Sequence, residues 1–221
     1  MTNSQVHATV GQIDGLSREV SDRMAQCGDS SAELSRITEG LQGLVSQFRT
    51  GQGKFEAVVR KVWSYRDVLE GKIAELQARG IDVFDERYQP VPGSDPPKFT
   101  TAYTAEFQRE LRPLYDEALS ELGAVFALCV DRNGYAAAHN SKYSRPLTGD
   151  HAADLVNSRD RRKFEDKTGL KAAQNRAPMM LQTYMRDTGE IMNDLSMPLR
   201  IGERHWGALR VGLEVGALLD G

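Results

Sequence analysis

Apolar positions along this chain keep two rhythms. From Val6 to Val83 every seventh residue is apolar, twelve in succession, running through Ile13, Cys27, Leu41, Phe55 and Leu69. The positions three later are mixed, with Leu16, Ile37, Leu44 and Val58 beside Arg23, Ser30, Gly51 and Lys72. One unbroken seam at a period of seven predicts a long helix that keeps one side toward a partner and supercoils left-handedly. The mixed second seam favours a bundle over a plain two-stranded coil. Glycine in a helix interior costs about 1 kcal/mol relative to alanine, so the TGQG stretch at 50–53 is the expected hinge. Glu56 with Arg60, and Glu75 with Arg79, stand at the i, i+4 spacing of helix-surface pairs. The helix should stop at Arg79-Gly80, where glycine supplies a left-handed cap.

Beyond residue 89 the pattern shortens. The segment 89–97, QPVPGSDPP, holds four prolines and a glycine and reads as a loop. Phe99, Tyr103, Phe107, Leu111, Leu114, Ala118 and Leu122 then recur every three or four residues, an amphipathic helix ending before Gly123 and bent at Pro113. Residues 124–130 form a continuous apolar run, the mark of a buried strand. Asn133-Gly134 is a hairpin turn, with Tyr135–His139 as the returning strand. Residues 150–175 are polar, with sparse apolar anchors, and predict short helices crossing the sheet. Three strands follow at 178–186, 190–200 and 204–213, with turns at 187–189 and Gly202. Alternation along the last strand places His205, Leu209, Val211 and Leu213 on one face and Trp206, Ala208 and Arg210 on the other. Asp194 and Arg210 are candidates for a cross-strand ion pair. The expected fold is α+β, a long N-terminal heptad helix followed by a five-stranded antiparallel sheet.

Composition sharpens this division. All eight prolines lie at Pro90 or later, and residues 1–47 contain no aromatic residue. Two compositions therefore meet near residue 90 of the 221-residue chain. The net charge of −3 provides no general basic field for nucleic acid. Cys27 and Cys129 make no disulfide framework and no zinc spacing. No apolar run approaches the 18 residues of a membrane span, and the first residues lack the pattern of a secretory signal. A cytoplasmic location is expected. Phosphate loops, G-x-S-x-G and HExxH motifs are missing from the sequence, so no enzymatic activity is expected.

The stretches VDRNGYAAAHN, RDRRKFEDKTGLKAAQN and QTYMRDTGEIMNDLSMPLRIGERHWGALRVGL resemble the Cache/PAS-like module at the cytoplasmic C-terminus of some bacterial methyl-accepting chemotaxis proteins. SSAELSRITEGLQGLVSQFR, residues 30–49, resembles the end of the chemoreceptor signalling bundle. The resemblance implies a chemoreceptor-like helical segment over 1–53, a connecting helix over 54–89 and a Cache/PAS-like sensor module over 90–221. It also implies a homodimer or a helical bundle with chemoreceptors as partners, and a small-molecule ligand. The sequence names no cofactor.

Pockets in modules of this kind lie between the sheet and the crossover, which points to residues 135–194. Tyr135, His139, Asn140 and Tyr184 come from the flanking strands, each with a polar tip that suits a mixed cavity. Arg161 and Arg162, within the run RDRRK, carry guanidinium forks suited to carboxylate or phosphate. His139, His151, His205 and Cys129 show no metal-ligand spacing. Chemotaxis-type sensing, with ligand binding coupled to helix packing, is the expected function. The alternative is a non-sensing interaction module that assembles with chemoreceptors through its heptad helix.

Overall fold

The computed structural model describes residues 13, 15–21, 23–24, 53–185 and 190–218, and the chain divides into two compact units, 1–50 and 51–221. In the first unit the described residues are helical and exposed. The heptad positions from Cys27 to Phe48, the hinge at 50–52 and the turn at 187–189 lie outside the described residues.

The second unit opens with helix α1, Lys54–Ala78, followed by a two-strand hairpin, β1 (Gln89–Pro90) and β2 (Phe99–Thr100). Here the heptad seam has a local explanation. Phe55, Val62, Leu69, Leu76 and Val83 are buried, each at most 1% exposed, and α1 packs on the large sheet. A seven-residue stripe suits this role as well as a coiled coil, because it keeps one narrow face of the helix toward a flat apolar layer. Arg79 caps α1, and Gly80 follows at φ 89°. Arg79 pairs with Glu110 at 2.7 Å and Glu106 at 3.4 Å in place of Glu75, which takes Lys72 instead.

Helices α2 (Thr104–Glu110) and α3 (Arg112–Leu122) replace the single bent helix, with the break at Leu111 and Pro113 in the first turn of α3. Their buried stripe is Tyr103, Phe107, Leu111, Tyr115, Ala118 and Leu122, so Tyr115 takes the core position expected of Leu114. Gly123 ends α3 at φ 61°.

The main sheet has four antiparallel strands in the order β3-β8-β7-β6, from β3 (Phe126–Asp131), β6 (Met180–Met185), β7 (Ile191–Ile201) and β8 (Arg204–Glu214). The expected fifth strand is diverted. Only Tyr135–Ala136 is extended, as β4, and it pairs with β5 (Arg162–Lys163) in the crossover. Residues 137–140 are buried without strand pairing, because Asn140 spans α3 and β3: its Oδ1 accepts from Ala127 N at 2.9 Å and its Nδ2 donates to Tyr115 O at 2.7 Å.

A β-bulge corrects the expected faces of β8. Leu199 faces Gly207 but Arg200 faces His205, so Trp206 is an extra residue. An extra residue reverses the alternation of everything beyond it. Trp206 therefore joins the helical side, packing on Phe107 at 5.4 Å and donating from Nε1 to Val83 O at 2.7 Å. His205 turns to the opposite face, its Nε2 2.9 Å from Ala173 O. Helices α1 and α3 thus cover one face of the sheet. The crossover, with helices α4 (His151–Asn157) and α5 (Lys167–Ala173), meets the other.

Candidate functional site

The crossover is held off the sheet by capping and by two glycines. Asp150 caps α4 by accepting from Ala152 N and Ala153 N, and Asp166 caps α5 by accepting from Thr168 N and Gly169 N. Between them, Phe164 N donates to Gly134 O at 2.8 Å. The Phe164 carbonyl sits so close that a Cβ at either Gly134 or Gly169 would lie 2.5 Å from its oxygen. Only glycine fits at these two positions, and the wall is thereby fixed in place.

A cavity of about 480 Å³ remains between this wall and the sheet. Its floor is Phe126 and Leu128 of β3 and Arg210 of β8. Phe126 lies over Gly212, where three ring carbons fall within 2.7 Å of the position a Cβ would occupy. The wall brings Arg159, Arg162, Lys163, Phe164 and Thr168, and the rim His139, Tyr143 and Tyr184.

Charge in the cavity is organised. Arg210 is 5% exposed and donates from Nε to Asp194 Oδ2 at 2.9 Å, with a second, shorter bond from Nη2. Burial works against its charge, but the Asp194 carboxylate more than offsets this and holds the guanidinium above its ordinary value. This is the pair expected from sequence, set diagonally, since Ser196 is the residue opposite Arg210. Arg159 and Arg162 both donate to Leu155 O and lie 5.4 and 5.8 Å from the centre of the Phe164 ring. Lys163 binds Glu165 at 2.5 Å and sits 4.9 Å above the Tyr88 ring. Among the described residues, the lining side chains carry four cations against Glu165 and Asp166.

Of the six residues singled out from sequence, the structure brings His139, Arg162 and Tyr184 together around the cavity. Tyr135, Asn140 and Arg161 lie elsewhere. Tyr135 is fully buried, its hydroxyl 2.8 Å from Phe99 O and 2.9 Å from Thr104 Oγ1, and burial raises its pKa. Asn140 is the α3–β3 bridge. Arg161 takes φ 60° and approaches Asp160 at 3.4 Å. Sequence reasoning missed Phe126, Leu128, Tyr143 and Phe164 as lining residues, whereas Arg159 belongs to the RDRRK run that the sequence marks as suited to an anion. For Phe126 and Leu128 the signal was the polar partner Arg210, which stands directly opposite Leu128.

The wall is also bolted to the hairpin that follows α1. Lys98 is 1% exposed and its Nζ meets Asp160 Oδ1 at 2.6 Å. Burial outweighs the carboxylate and holds the Lys98 ammonium below the usual lysine range. Phe99 N donates to Arg161 O at 2.8 Å. Tyr88, just before the hairpin, donates to Asp131 Oδ2 at 2.6 Å. Asp131 also accepts from Tyr103, Asn133 N and Tyr135 N, although burial lifts it above the ordinary carboxylate range.

Among the described residues no three His, Cys, Asp or Glu are placed to hold a metal ion, and no helix is long and apolar enough to cross a membrane. No protein-family model and no curated protein matches the sequence. The solved structures this chain is similar to include sensory domains. The isoleucine-bound sensory domain of the Campylobacter jejuni chemoreceptor Tlp3 is 13% identical, with TM-score 0.45, over 84% of this chain and 62% of that one. A second structure of the sensory domain of the same receptor is 12% identical, with TM-score 0.42, over 84% and 63%. The V. cholerae histidine kinase DctB sensor domain is 9% identical, with TM-score 0.35, over 74% and 58%. The chain spans about six-tenths of the length of these structures.

Proposed function

We propose that the protein is a signal-sensing module whose cavity takes a small molecule bearing an anionic group, and whose crossover wall passes the binding event to α1. The observation that carries this reading is the double attachment of the wall. The segment that supplies Arg159, Arg162 and Lys163 to the cavity also holds the hairpin, through Lys98–Asp160 and Phe99–Arg161. A ligand that draws the wall toward the sheet favours one arrangement of the hairpin over another, and so biases the helix preceding it. In this reading the protein is a cytoplasmic, non-enzymatic transducer of the chemotaxis type, and the segment before residue 54 is its output.

The test is a thermal-shift screen of the whole chain with small carboxylates and inorganic phosphate, followed by hydrogen exchange on any stabilised complex. The expected result is a rise in melting temperature together with changed protection of both 159–168 and 88–100. Stabilisation by neither class overturns the reading. Binding that changes protection in the cavity but leaves the hairpin untouched overturns the coupling.

A further inference from the structure

We infer that the ligand is a planar aromatic carboxylate, its ring stacked within the cavity and its carboxylate facing the guanidinium groups of the wall. This rests on the sensing reading above and narrows it to one chemical class.

Three observations point the same way. The first is the character of the lining, where, among the described residues, Phe126, His139, Tyr143, Phe164 and Tyr184 present five rings and Leu128 and Met185 are the large aliphatic groups. A cavity selected for branched aliphatic ligands has no need of so many rings. Aromatic pairs gain from their quadrupoles as well as from the area they bury. The second is the shape of the floor. Phe126 can lie over the backbone of β8 because residue 212 has no side chain, and His139 stands edge-on to it at 6.3 Å and edge-on to Tyr143 at 4.9 Å. Beside Leu128 and Arg210, the floor thus presents a ring seated where a side chain at 212 would otherwise stand. The third is charge. Among the described lining residues Arg159, Arg162, Lys163 and Arg210 stand with Glu165 and Asp166, and Arg159 and Arg162 lie against the Phe164 ring. A guanidinium both stacks on a π-face and forks a carboxylate, so one residue type serves both halves of an aromatic acid. The 480 Å³ volume holds one or two fused rings with their substituents.

Calorimetric titration of the whole chain separates this proposal from the reading beneath it. The probes are benzoate and 2-naphthoate, their saturated counterpart cyclohexanecarboxylate, and the neutral 2-naphthalenemethanol. The expected result is that benzoate binds about 10-fold more tightly than cyclohexanecarboxylate. The neutral alcohol should bind at least 10-fold more weakly than 2-naphthoate. Phe164→Leu should remove most of the preference for the flat ring, and Arg162→Gln should weaken all the acids alike. If Phe164→Leu does not fold, Tyr143→Leu at the half-exposed rim takes its place and should reduce the same preference. Equal or tighter binding of cyclohexanecarboxylate, still weakened by Arg162→Gln, overturns the aromatic assignment and leaves the sensing reading standing. Binding of no acid, aromatic or saturated, overturns both.

Discussion

Breaking the buried Lys98–Asp160 pair from its two sides should have unequal consequences. Asp160→Asn strands an ammonium that is 1% exposed. Asp160 is the group that supports the charge of Lys98, whereas burial, Arg161 and Arg162 oppose it. A buried charge left without its partner costs about 3–5 kcal/mol, about a thousandfold in the folding equilibrium. Lys98→Met is milder, because Asp160 keeps Gln108 Nε2 at 3.0 Å and has Arg161 and Arg112 at 3.4 and 3.8 Å. Its expected cost is about 1–2 kcal/mol. Lys98→Met with Asp160→Leu removes both charges and should lie within about 2 kcal/mol of the parent chain. With a urea slope of about 2 kcal/mol/M, Asp160→Asn lowers the unfolding midpoint by about 2 M and Lys98→Met by less than half of that.

The pH dependence adds an independent check. Lys98 already titrates below its unfolded value of 10.5 in the folded chain, and loss of Asp160 lowers it further. Between the variant's further-lowered value and the parent's, only the variant's folded chain has given up a proton that its unfolded chain still holds. Its stability therefore rises with pH, and the deficit of Asp160→Asn shrinks as pH climbs toward the parent's Lys98 value. Equal losses from the two single variants, or a double variant at the sum of both, would refute the claim that the surroundings hold the carboxylate and not the amine.

Other perturbations are equally direct. A Cβ at Gly207 would fall 2.0 Å from Val130 O, in the backbone of β3, whereas one at Gly212 meets the movable Phe126 ring. Gly207→Ala should therefore cost about 3 kcal/mol or more; Gly212→Ala should cost less but weaken ligand binding by driving the ring into the cavity, read by urea unfolding and calorimetry. Burial, with Arg176, Arg200 and Arg132 nearby, holds His205 below 6.5 against the bond to Ala173 O. In the window between that lowered value and 6.5 the unfolded chain binds the extra proton, so stability falls on acidification, and His205→Gln should flatten the profile of melting temperature against pH there. Burial pushes the Cys129 thiol up to about 12 against the Tyr115 hydroxyl, which lowers it. In a Cys27→Ser background, Cys129 should resist maleimide at pH 8 until urea unfolds the chain.

Local chemistry made much of this fold legible in the sequence. Gly80 and Gly123 end helices, and Gly202 turns the β7–β8 hairpin, each at a positive φ that few other residues accept. The Asp194–Arg210 pair was readable because two opposite charges fell on alternating, otherwise buried strands. What escaped was set by distance along the chain or by a missing count. Tyr135 and Asn140 look like ligand groups because their polar tips are visible and their partners, Phe99 O and Tyr115 O, lie 36 and 25 residues away. Apolar alternation cannot show that β4 leaves β3 for Arg162–Lys163, since both pairings satisfy it. Phe126 and Leu128 sit in a run with no polar residue between them, so their own strand does not mark the cavity face, and the mark lies on its neighbour, at Arg210.

The extra residue at Trp206 makes β8 sensitive to length in a way that it is not to composition. A conservative replacement on either face keeps the phase, but loss of one residue at 205 or 206 removes the offset between the hairpin tip and the remainder of the strand. The long ladder from Met192–Glu214 to Leu199–Gly207 would hold its register, being anchored by the helices on one side and Arg210 on the other. The tip, Ile201–Arg204, would absorb the change, and the indole would lose its bond to Val83 O just beyond the end of α1. Among relatives of this chain, then, loops and tails are free to vary in length, whereas the interval from Gly202 to Gly207 should stay constant even where its letters drift.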